Sequence, residues 1–98
     1  MLVRDQLKYD TSGRRSVEAR MQLVHGDVTV LKAKASIVSS VLQFTGMILT
    51  PEQVDLVFGT MIYPDWGGED NMLSEPSQLL KYEANTASCY LIFKPVTQ

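Results

Sequence analysis

Three carboxylates and one amide, Asp65, Glu69, Asp70 and Asn71, fall within seven residues of one another. They flank the chain's single tryptophan, Trp66, and the pair Gly67-Gly68. Oxygen donors at this density can do one of two things. They can hold a hard cation, or they can hold a negative potential that draws in a basic surface. The first requires a fixed ligand spacing. Counted from Asp65, an EF-hand would need an oxygen ligand at Gly67, glycine at Asp70 and a bidentate glutamate at Pro76, so that pattern fails. The second requires only charge. With Tyr63 and Trp66 as aromatic anchors, the stretch Tyr63, Asp65, Trp66, Glu69 and Asp70 is the first candidate for a partner-binding surface.

The other chemistry-bearing residues are scattered. His25, the one histidine, precedes Gly26-Asp27 in a turn-like triplet. A histidine can act as a general base only when a nucleophile or substrate lies within reach. In an alternative reading, His25, Tyr82 and Tyr90 supply the polar groups of a small-molecule pocket between helices and sheet, gated by residues 63–77. Arg14-Arg15 forms a small basic tip that could touch phosphates. A sequence pI near 5.2, with no aromatic beside the arginines, counts against nucleic acid. Cys89 has no neighbouring cysteine or histidine for a metal site or an activated thiolate. No P-loop, Gly-x-Ser-x-Gly, dinucleotide fingerprint or His-Glu-x-x-His is present. The sequence therefore points to no catalytic residue, cofactor or metal.

Charge is distributed unevenly. Residues 1–34 hold seven basic and four acidic side chains, a net of +3. Residues 35–98 hold two basic and seven acidic ones, a net of −5. No lysine or arginine lies between Lys34 and Lys81. Such polarity bears on partners and association rather than on fold.

Ninety-eight residues with 45% apolar content are expected to form one globular domain over 1–98. At this size the folding margin is thin, and pairing into a homodimer is one way to widen it. A single cysteine fits a reducing compartment. The start lacks the pattern of a signal peptide, and no apolar run is long enough to cross a bilayer, so the expected location is cytoplasmic, with no membrane association.

Four patterns position these residues. Val17 to Leu23 alternates apolar and polar, which predicts a strand and, with Leu2 to Tyr9, a hairpin over 2–24. Residues 28–45 admit two readings. Either one helix runs throughout, or a strand runs to about Lys34 and a helix takes over at Ser36. The branched Val28 and Thr29 favour the second. Thr50-Pro51 with Gln53 spells a capping box with proline at the first helical position, opening a helix of about 51–62. Leu79 to Glu83 and Ala87 to Lys94 predict a second hairpin. Both faces of its last strand are partly apolar, so that strand is central or has its outer face covered.

The expected architecture is α+β: two terminal β-hairpins forming an antiparallel sheet, with one or two helices packed on one face. The expected function is a small non-enzymatic interaction protein, an adaptor, inhibitor or immunity-type protein. Its acidic aromatic loop would meet a basic protein partner.

Overall fold

The computed structural model describes residues 14–66 and 71–96, with side chains from residue 17 onward. Helix α1 (Arg14–His25) leads into strand β1 (Thr29–Lys34). A 3₁₀ turn (Ala35–Ile37) then opens α2 (Val38–Phe44). The short strand β2 (Ile48–Leu49) precedes α3 (Pro51–Phe58), which tightens into a second 3₁₀ turn (Gly59–Met61). Strands β3 (Ser77–Ala84) and β4 (Ser88–Pro95) close the chain as a hairpin. The four strands form one sheet in the order β1-β4-β3-β2, antiparallel throughout, so the class is α+β.

Each element has a local cause. Thr50 Oγ1 accepts from the Gln53 backbone N–H at 3.1 Å, and Gln53 Oε1 accepts from the Thr50 N–H at 2.9 Å. The capping box is therefore closed, with Pro51 at N1. The β3–β4 turn is held by Asn85, whose Oδ1 accepts from the N–H groups of Ala87 and Ser88. Gly26 ends α1 at φ +80°, and its N–H donates to the Gln22 carbonyl. A strand does run to Lys34 ahead of a helix, as the branched residues at 28–30 favoured.

The core is double. Leu31, Ala33, Leu79, Cys89, Leu91 and Phe93 face one side of the sheet, where Ile37, Val41, Leu49, Val54, Phe58 and Leu73 pack on them. Val30 and Ile92 face the other side and meet Val17, Met21, Val28 and Trp66. Strand β4 is thus central, between β1 and β3, and its outer apolar face is covered by α1 and Trp66. A bulge at Leu80 shifts the register between Leu79↔Phe93 and Lys81↔Ile92. The extra residue brings Tyr82, three positions after Leu79, back to the face Leu79 occupies.

One expectation is corrected. Residues 14–25 are helix, not the second arm of a hairpin over 2–24; residues 2–13 of that hairpin lie outside the described ones. Glu18, Ala19, Arg20, Met21, Gln22 and Leu23 are all good helix formers, and the i, i+4 pair Val17 and Met21 supplies the buried contacts. The alternation that suggested a strand includes Leu23, which is 75% exposed. The two expected helices, α2 and α3, do pack on one face of the sheet, and the additional helix α1 lies on the other. Helical structure from Pro51 runs to Met61, near the expected end, with its last turn tightened to 3₁₀, and Ile62 then turns extended and bridges to Ala33.

Candidate functional site

Strand β1 is an edge of the sheet, and its outer side would present unpaired backbone groups. The segment after α3 answers them. Ile62 bridges Ala33, and the Tyr63 N–H donates to the Lys32 carbonyl at 3.0 Å. Asn71 completes the edge with its side chain. Its Oδ1 accepts from the Lys32 N–H at 3.1 Å, and its Nδ2 donates to the carbonyls of Lys32 and Tyr63, both at 2.6 Å. The Asn71 N–H donates in turn to the Pro64 carbonyl at 2.9 Å. The amide is 1% exposed and uses both donors and its acceptor. One side chain, 39 positions from Lys32 in sequence, ties both ends of the acidic aromatic loop to the sheet.

The loop is two-sided. Asp65 is exposed, whereas Trp66 is 7% exposed and packs on Val17, Met21, Val28, Val30 and Ile92. Its ring centroid lies 5.3 Å from that of Tyr90, tilted at 49°. The Lys32 ammonium stands 5.5 Å from the centroid of Tyr63 and 5.9 Å from that of Trp66. Either distance is within range of a cation–π contact. The expectation of a surface indole is therefore corrected: Trp66 closes the second core cluster and is not presented to a partner. Tyr63 is half-buried. Glu69 and Asp70 lie outside the described residues.

The alternative site does not assemble. Tyr82 packs against the core cluster on the α2–α3 side, and Tyr90 against the cluster under α1, so the sheet separates them. His25 is the half-buried last residue of α1. A groove does open between α3 and the segments 62–64 and 71–73, but none of His25, Tyr82 or Tyr90 lines it. Arg14 and Arg15 begin α1 rather than forming a hairpin turn, and their side chains lie outside those described. Arg20 reaches across to Glu83 at 2.7 Å, pinning α1 to β3 with a partly exposed ion pair of small worth.

Among the described residues, no group of three or more His, Cys, Asp or Glu side chains gathers to hold a metal ion, and no helix is long and apolar enough to cross a membrane. Burial raises the Tyr90 hydroxyl above its ordinary pKa, and pushes the Cys89 thiol up to about 11. Cys89 is fully buried in the first cluster. A thiol-specific reagent such as Ellman's disulfide is expected to leave it untouched in the native protein at pH 8 and to modify it fully in denaturant. Rapid modification of the native chain would show that β4 opens far more readily than its burial implies.

The structural part that sequence reasoning missed is Asn71. Its type and its place among the acids do not distinguish an exposed oxygen donor from an edge-blocking amide. Comparison with protein-family models, curated proteins and solved structures found no match to this chain.

Proposed function

We propose that this is a non-enzymatic interaction protein that offers an acidic, partly apolar surface to a basic protein partner. The observation that carries the reading is the tethering of the 63–71 loop. Asn71 holds both loop ends against β1, and Trp66 is fastened in the core beneath. Loop ends held in place before the encounter lose little ordering entropy on binding. Asp65 faces solvent, and Glu69 and Asp70 follow in sequence without a cation between Lys34 and Lys81. Apolar contact area is at hand in Met72, 57% exposed and next in sequence to Asn71. Trp66 contributes by rigidifying the loop, not by inserting into a partner.

The charges define the roles. The acids govern encounter rate and salt dependence, and the apolar side chains govern residence time. A second copy of the chain is one basic partner available, since its first 34 residues carry the net +3. A two-fold dimer would satisfy both such contacts at once. Sedimentation velocity at low and high salt separates self-association from a different partner. The variant Asp65→Asn, Glu69→Gln, Asp70→Asn is expected to slow association with whichever partner is found by at least about tenfold at low salt and to flatten the salt dependence. An association rate equal to that of the unaltered chain would refute the acidic loop as the docking element.

A further inference from the structure

The groove between α3 and the segments 62–64 and 71–73 has a volume of about 190 Å³. Its walls are apolar, formed chiefly by Leu31, Val54, Ile62 and Leu73. Among the described residues one charged side chain lines it, Asp55 of α3, four positions before Gly59. No ion pair or side-chain hydrogen bond engages the Asp55 carboxylate among the described residues, and no lysine or arginine lies in the chain segment that builds the groove beyond Leu31 and before Lys81 except Lys32 and Lys34 on β1. The carboxylate lies over Gly59. A Cβ placed on Gly59 would come within 2.8 Å of Asp55 Oδ1. Glycine at this position therefore leaves the carboxylate its place at the groove wall.

We propose that this groove binds a small free arylalkyl- or alkylammonium molecule, its apolar body on Leu31, Val54 and Leu73 and its ammonium at Asp55. Three observations select that class. The volume matches one ring or a short chain: a dry apolar cavity of about 150 Å³ in another protein holds benzene. The walls favour hydrocarbon over a polar body. The one carboxylate of the described lining, without an ion pair among the described residues, favours a cation over a neutral or anionic ligand. The groove shares Pro64, Asn71 and Met72 with the ends of the acidic loop, but the site uses neither Trp66 nor Asp65.

The probe is phenethylammonium, titrated into ¹⁵N-labelled protein and followed by amide shifts. 2-Phenylethanol serves as its neutral counterpart, and N-acetyl-lysinamide as the same ammonium borne on a protein side chain. Saturable shifts are expected at Leu31, Val54, Gly59 and Leu73, with a dissociation constant on the order of a millimolar. The alcohol should bind about threefold to fivefold more weakly, the worth of an exposed ion pair. Asp55→Asn and Gly59→Ala should each bring the amine down to the alcohol's affinity without altering the alcohol itself. Equal binding of amine and alcohol to the unaltered chain, shifts centred elsewhere, or no saturation would each overturn the proposal. Tighter binding of the lysine derivative than of phenethylammonium would overturn the free molecule as the occupant. The amine–alcohol comparison needs no variant, so poor folding of either substitution leaves the test intact.

Discussion

Replacing Asn71 by aspartate is expected to cost about 3–5 kcal/mol at pH 7, the scale of a buried charge left without a partner. Oδ1 of the native amide accepts from Lys32, and its two N–H groups point at the carbonyls of Lys32 and Tyr63. A carboxylate keeps the acceptor but sets a negative oxygen against two carbonyl oxygens. Asn71→Ala should be milder, at about 2–4 kcal/mol. It orphans the Lys32 N–H and the Tyr63 carbonyl, while the Lys32 carbonyl keeps its bond from the Tyr63 N–H.

The two variants differ most clearly in pH dependence. Burial and the facing carbonyls raise the folded-state pKa of an aspartate at position 71 above its unfolded value of about 3.9. The folded state then binds the extra proton more readily, so the variant loses stability as pH rises from the unfolded pKa through the folded one. Below the unfolded value that added penalty is gone. Relative to the unaltered chain, Asn71→Asp should recover toward acid and Asn71→Ala should not. Urea denaturation of all three proteins across pH measures this directly. An aspartate variant as stable as the alanine one at pH 7 would show that the amide does not meet both carbonyls. Either substitution also opens the β1 edge, so increased aggregation at high concentration should accompany the lost stability.

The second large effect is expected at Phe58. Its side chain is fully buried at the end of α3 and meets the Phe44 ring edge-on, with centroids 5.6 Å apart and planes at 83°. Phe58→Ala should cost about 3–5 kcal/mol through lost burial and the remaining cavity. For a chain of this size that lowers the midpoint of thermal unfolding by about 12 °C or more. It consumes much of the roughly 5–15 kcal/mol that keeps a domain folded. Phe44 is only half-buried, so Phe44→Ala should cost less, and the double variant isolates the ring pair at about 0.5–1.5 kcal/mol. A loss below about 1 kcal/mol at Phe58 would mean that α3 is not seated on the sheet as described. The same measurement bears on the groove, because Val54 and Leu31 share both the wall and this core.

Tethering of the acidic loop and stability of the fold are linked through Asn71. Losing its hydrogen bonds frees the two ends of the loop, Tyr63 and residue 71, beside Asp65. Loss of partner association in Asn71→Ala under conditions where it remains folded would separate preorganisation from charge, because the carboxylates are unchanged.

Features resting on neighbours in sequence were legible from the residues alone. Thr50, Pro51 and Gln53 satisfy one another within a single turn, so the start of α3 needs no distant contact. The β3–β4 hairpin follows from its alternation and from Asn85, and the two apolar faces of β4 implied its central place before any partner strand was known. The class, α+β with an antiparallel sheet, follows from these elements. What local pattern could not decide was any choice between two periods that both fit. Val17 to Leu23 satisfies a strand by alternation and a helix by Val17 and Met21. The decision belongs to Val30, Ile92 and Trp66, which bury the helical pair. The loop was equally undetermined: whether Trp66 turns inward depends on α1 lying over the sheet, and whether Asn71 faces solvent depends on β1 having an open edge. Hydrogen bonding across one turn is encoded by adjacent residues, whereas burial and edge pairing join groups tens of residues apart and exist only once the sheet has assembled.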